Sequence, residues 1–122
     1  MKTYRDLIVW QKAITLVTDV YSITKSFPKE ELFALSSQIK RSGISIPSNI
    51  SEGYGRQHRL EYIRFLQIAR GSLYELQTQL EISGNLNFLN QTTLISLLEK
   101  CNEIERMLNK LIGILKQNTK NI

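Results

Sequence analysis

The chain is poor in the residues that build reactive or cross-linked sites. Among 122 residues there are one cysteine, one histidine and one tryptophan, with two prolines and six glycines. Cys101 alone cannot close an intramolecular disulfide, and no CxxC or Cys/His cluster offers a zinc site. His58, as the sole histidine, leaves no multi-histidine metal site and no spare candidate for a Ser/His relay. So few prolines and glycines do not suit a loop-rich all-β chain. No run approaches the roughly 20 apolar residues of a membrane helix. The N-terminal MKTYRDLIVWQK carries charges where a signal peptide needs an apolar stretch. These absences predict a soluble cytoplasmic protein with no membrane partner, metal or cofactor. With 42% apolar and 22% charged residues, the chain makes one domain, 1–122, with a core of its own.

What the sequence does have is apolar spacing at the helical period almost throughout. The pattern predicts four helices, at about 6–25, 29–53, 59–83 and 91–117. The first places Trp10, Ala13, Ile14, Val17, Val20, Tyr21 and Thr24 on one face. Phe27-Pro28 breaks the chain, and Pro28 suits the first position of the second helix, with Glu30 and Glu31 favourable in its first turn. That helix turns Leu32, Leu35, Ile39, Ser42, Gly43, Ile46 and Ile50 inward. Pro47 kinks it and frees the carbonyl near Gly43, and Gly53 and Gly55 end it. The third helix buries Tyr62, Phe65, Leu66, Ala69, Leu73, Leu76 and Leu80 and stops at Gly84 and Asn85. Asn90 caps the fourth, whose heptad runs Leu94, Cys101, Leu108, Leu115 and Leu97, Ile104, Leu111. Short connections make neighbours antiparallel, so the predicted fold is all-α, an up-down-up-down four-helix bundle.

Two helices carry a second face. The third has Leu60, Arg64, Ile68, Gly71, Glu75 and Ile82 away from its core stripe, and the second has Phe33, Ser37, Lys40, Ile44 and Ser51. A surface helix needs only one apolar stripe, and Gly71 in mid-helix costs up to about 1 kcal/mol relative to Ala. These faces read as subunit contacts or as scattered surface apolar residues. A polar row, Gln38, Arg41, Ser45, Ser48, Asn49 and Glu52, runs down the second helix at three- and four-residue spacing. It reads as a binding row or, with no nucleophile–base pair, as a hydrogen-bonded network that fixes packing and serves groups loosened by Pro47.

Charge is the remaining pattern. Sixteen Lys and Arg against eleven Asp and Glu give +5, and residues 40–70 alone give +4. Arg56, Arg59 and Arg70 are expected to project alike near the start of the third helix, with Tyr54 and Tyr74 nearby; Lys40, Arg41 and Arg64 add to them. Arginine beside an aromatic ring can hold phosphate and stack a base. The same arginines can instead pair with Glu52 and its neighbours. Enzyme patterns are missing: no Glu-x-x-His pair for a di-iron bundle and no GxxxxGK[ST] phosphate loop. The Arg that helical nucleases separate from a His by four to six intervening residues would stand at Ser51, Glu52 or Gly53. Cys101 at a heptad core position is a small hydrophobe. The expectation is a protein that is not an enzyme.

Tyr4-Arg5-Asp6-Leu7-Ile8-Val9-Trp10-Gln11-Lys12-Ala13 resembles the opening of the four helix bundle proteins, also called 23S rRNA-intervening sequence proteins. Phe27-Pro28-Lys29-Glu30-Glu31, Leu35-Ser36-Ser37-Gln38-Ile39-Lys40-Arg41-Ser42, Ser45-Ile46-Pro47-Ser48-Asn49-Ile50-Ser51-Glu52-Gly53 and Arg56 continue the resemblance. So does Phe65-Leu66-Gln67-Ile68-Ala69-Arg70-Gly71-Ser72-Leu73-Tyr74-Glu75-Leu76, and the SIPSNI-EG core is specific. Ser51 and Lys40 stand where the family often has Ala and Arg. The resemblance implies a four-helix bundle assembled into a ring, typically a homopentamer, with no established catalytic residues. The related accessory variability proteins of diversity-generating retroelements are similar in fold and partner a reverse transcriptase and nucleic acid. The expected function is therefore a ring-forming protein that binds nucleic acid, RNA foremost. The alternatives are a protein-interaction scaffold and a structural remnant without a ligand.

Overall fold

The computed structural model describes residues 2–120 of the chain. Four helices follow in order: α1 (Ile8–Thr24), α2 (Leu35–Gly55), α3 (Arg59–Asn85) and α4 (Gln91–Lys120). Side chains that bond backbone open α3 and α4, whereas Leu7 before α1 and Ala34 before α2 make no such cap. The Thr93 amide donates to Asn90 Oδ1 at 2.8 Å, so Asn90 caps α4 as predicted. His58 Nδ1 accepts from the Glu61 amide at the start of α3. The two turns that reverse the chain after α2 and α3 hold Gln57 and Asn87 at φ 55° and 61°, the left-handed region.

Side-chain contacts fix the directions. Along α3, Arg70, Tyr74 and Gln77 bond Asn109, Glu105 and Asn102 of α4, so one helix rises as the other falls. Ser42 and Ser45 of α2 bond Gln79 and Ser72 of α3 in the same antiparallel sense. Each helix packs on its two neighbours, α1 also on α4, and the α2–α3 pair is the most extensive. The result is the predicted up-down-up-down bundle, with no strand among the described residues. Leu16, Ile39, Ile46, Ile50, Leu66, Leu73, Leu76, Leu80, Ile104 and Leu108 fill its centre.

Several expectations need correction. Residues 4–6 form a 3-10 turn closed by a Thr3–Asp6 capping box, so α1 starts at Ile8 rather than Asp6, and it ends at Thr24. Its inward stripe is Val9, Ala13, Leu16, Val20 and Thr24; Ile14 and Tyr21 are exposed. Trp10 stays half-buried, its ring edge-on to Tyr4 at 5.2 Å. Pro28 begins a separate 3-10 turn, Lys29–Glu31, and α2 starts only at Leu35, which leaves Leu32 exposed. The helix continues through Pro47 to Gly55. Gly53 is no stop: a Cβ there would meet Phe65 Cβ at 2.7 Å, so the glycine lets α2 and α3 cross closely. Gly84 also lies inside its helix, against Leu94 of α4, and Asn85 is the last residue of α3. Tyr62 and Phe65 are only half-buried, Ile63 taking the inner place. In α4 the heptad holds to Leu108, after which Ile112 replaces Leu111 in the core. A straight helix drifts from a 3.5-residue repeat in this way. It extends to Lys120, beyond the expected end.

Candidate nucleic-acid interface

The polar row of α2 divides in two. Asn49 Nδ2 donates to the Ser45 carbonyl at 2.7 Å and to Ser45 Oγ at 2.9 Å, and Ser45 Oγ bonds Ser72 Oγ of α3 at 2.8 Å. This link is half-buried beside Pro47, where a backbone donor is missing. Its members hold no carboxylate, imidazole or thiol, so it has no base to activate a hydroxyl. Gln38, Arg41 and Glu52 instead face solvent. A second buried bond, Ser42 Oγ to Gln79 Oε1 at 2.7 Å, was hidden in sequence because Gln79 lies 37 positions away. Cys101 is wholly buried, and burial, with Glu105 nearby, pushes its thiol up to about 12. No group of acidic, His and Cys residues among those described could hold a metal ion. No described helix is long and apolar enough to cross a membrane.

The three principal arginines do not form one set. Arg56 follows α2, pairs with Glu52 at 3.0 Å and lies over the Phe65 ring at 5.1 Å. Arg59 opens α3, is exposed, and makes no ion pair among the described residues. Arg70 stands three turns further on and donates to Asn109 at 2.8 Å. It shares a helix face with Arg59, but eleven residues of rise, about 16 Å, separate them. Arg64 reaches Glu61 at 3.6 Å. Lys40 lies over the Tyr21 ring at 5.2 Å, towards the other end of the bundle, and Arg41 is exposed beside it. Tyr54 packs on Tyr62, and Tyr74 donates to Glu105 at 2.8 Å, which raises its hydroxyl pKa.

Folding replaces the local basic segment with a polarity along the bundle. The antiparallel packing gathers the N-terminal turn, the α2–α3 turn and the last turns of α4 at one end. Lys2, Arg5, Arg56, Arg59, Arg64 and Lys116 outnumber Asp6, Glu52 and Glu61 there. At the other end Asp19, Glu30, Glu31, Glu75, Glu81 and Glu99 narrowly outnumber Lys25, Lys29, Lys40, Arg41 and Lys100, the last paired with Asp19. Sequence reasoning missed Lys2, Arg5 and Lys116 because each lies more than 50 positions from the α2–α3 turn it joins.

The profile of the family described as 23S rRNA-intervening sequence protein matches residues 5–110. The chain belongs to the 23S rRNA-intervening sequence protein family. No match is found among curated proteins. A crystal structure titled as a protein with unknown function from the S23 ribosomal protein family of Bacteroides thetaiotaomicron VPI-5482 is similar, with a TM-score of 0.78 and 27% identity. The similarity covers 86% of this chain and 98% of that one. Residues 45–53, inside the matched span, hold Pro47, the Ser45–Asn49 bond and the close crossing at Gly53. Those positions hold α2 against α3.

Proposed function

We propose that this member of the 23S rRNA-intervening sequence protein family is a non-enzymatic, ring-forming protein that holds nucleic acid, RNA foremost, on the basic end of its bundle. The observation that carries this reading is the charge polarity just described. An end where cations outnumber carboxylates two to one, opposite an end that is slightly acidic, concentrates a positive field where a phosphate backbone can lie. Arg59 leads the site because its guanidinium is exposed and unpaired. Arg56 is secondary, since using it would compete with Glu52 and Phe65. Arg70 and Lys40 lie too far along the bundle for the same contact, and Arg41 with them. Phosphate contacts of this type carry no base information, so little sequence preference is expected.

Fluorescence anisotropy with a labelled RNA tests the proposal. Wild-type binding should fall steeply between about 50 and 200 mM salt through counterion release. The variant Arg59→Glu with Lys116→Glu should lose it while keeping its helicity, because the gain from a carboxylate in the first turn of α3 offsets the small dipole cost of one near the end of α4. Equal affinity in wild type and variant, or no binding at low salt, would contradict the reading and leave the protein-interaction scaffold.

A further inference from the structure

Two of the surfaces left uncovered by the bundle's own packing lie on different sides of it; Phe33, expected with them, is 93% exposed in the segment before α2 and belongs to neither. One is the outer stripe of α3, where Leu60, Ile68 and Ile82 are 60%, 42% and 43% exposed. A Cβ on Gly71, at the centre of this stripe, would meet nothing within 4 Å. The glycine therefore weakens the helix with no return inside its own chain. The other is a shallow cleft of about 260 Å³ along the α1–α2 seam, lined by Trp10, Ile14, Val17, Ile44, Pro47 and Ser48 among others. Ile14 and Ile44 on its rim are 39% and 43% exposed.

We infer that the outer stripe of α3 seats on the α1–α2 cleft of a second copy, with the two bundle axes pointing the same way. The inference rests on the ring-forming reading above and says which faces join. A stripe on one side and a different cleft on another make a head-to-tail contact, which covers both surfaces with one kind of interface. Stripe-to-stripe pairing would leave the cleft open. Charge selects the orientation. Ser45 bonds Ser72 and Ser42 bonds Gln79, so the levels of α2 and α3 can be compared directly. Lys40 lies about one turn from the level of Glu75, and Glu52 about one turn from that of Arg64. With axes parallel, Glu75 of one copy stands near Lys40 of the next, and Arg64 near Glu52. With axes opposed, Glu75 would meet Glu52 and Arg64 would meet Lys40, two like-charge contacts. None of these four side chains is buried. Glu75 makes no ion pair among the described residues, whereas Lys40 would keep its place over Tyr21, and Glu52 and Arg64 would share exposed pairs already made with Arg56 and Glu61. The Glu75–Lys40 contact therefore carries most of the preference. Gly71 then lets the stripe sit closely on the Ile44 and Ser48 side of the cleft.

Cysteine cross-linking of the full chain decides the matter, with Cys101 silent because it is buried. Ser48→Cys and Ile68→Cys are made singly and together, and treated with a short bis-maleimide at micromolar protein. The double variant should give a ladder extending past the dimer, and each single variant should stay uncross-linked. Covalent dimers from Ile68→Cys alone would show the stripe pairing with itself and overturn the inference. An oligomer by light scattering with no ladder from the double variant would place the contact elsewhere and overturn it while leaving ring formation intact. A monomer by light scattering would overturn both. As a second measurement, Lys40→Glu should raise the concentration for half-assembly about fivefold, and adding Glu75→Lys should restore it. No rescue by the second change would contradict the parallel orientation.

Discussion

Tyr62 shows what a single atom can cost. Its hydroxyl is buried without a hydrogen-bond partner among the described residues, and burial, with Tyr54 beside it, pushes its pKa up to about 12. An unmade buried hydrogen bond is unfavourable, so Tyr62→Phe should leave stability unchanged or raise it by up to about 1 kcal/mol in chemical denaturation. Asn49→Ala should do the opposite, lowering stability by roughly 1–3 kcal/mol, because it strips a donor from Ser45 next to Pro47. The alkaline limb of stability follows from the same burial. Tyr62 and Cys101 both titrate near 12 when folded, against ordinary values of 10.0 and 9.0. Above about pH 9 the unfolded chain gives up these protons while the folded chain keeps them. Melting temperature should therefore fall progressively from about pH 9 towards 12, and Tyr62→Phe should flatten the upper part of that fall.

At the scale of the helix, the glycines separate three roles that look alike in sequence. Gly53 meets Phe65 Cβ, an atom anchored to backbone, so Gly53→Ala should cost about 1–3 kcal/mol through overpacking. Gly84 meets the tip of Leu94, which can turn aside. Gly71 meets nothing, and Gly71→Ala should stabilise the isolated bundle by about 0.5–1 kcal/mol while weakening assembly. Thermal melts below and above the assembly concentration separate the two effects. Much of this level was legible beforehand: four helices and the inward positions Ile39, Ile46, Ile50, Leu66 and Leu73 follow from period, and the Asn90 cap from residue type. The phase of α1 did not, because aromatic Trp10 and Tyr21 draw the eye to a face that belongs to the seam, while Val9 and Leu16 carry the core. The glycine stops failed for a related reason. Propensity reads Gly as an ending, whereas Gly53 answers to Phe65, twelve residues away and across a turn.

At the scale of the molecule, what matters is which distant charges the antiparallel topology brings to one end, and period says nothing of that. Arg56 and Arg59 were visible as candidates, but their partners at the basic end, Arg5 and Lys116, come from opposite termini. Parallel head-to-tail assembly would set every basic end on one rim, where weak phosphate contacts add by avidity. Ultraviolet cross-linking of the assembled protein to a uridine-rich RNA at low salt, mapped to peptides by mass spectrometry, tests this most directly. Adducts should fall in the segment before α1, at the α2–α3 turn and in the last turns of α4. Adducts confined to the Lys29–Glu31 turn or the α3–α4 connection, or none at all, would contradict it.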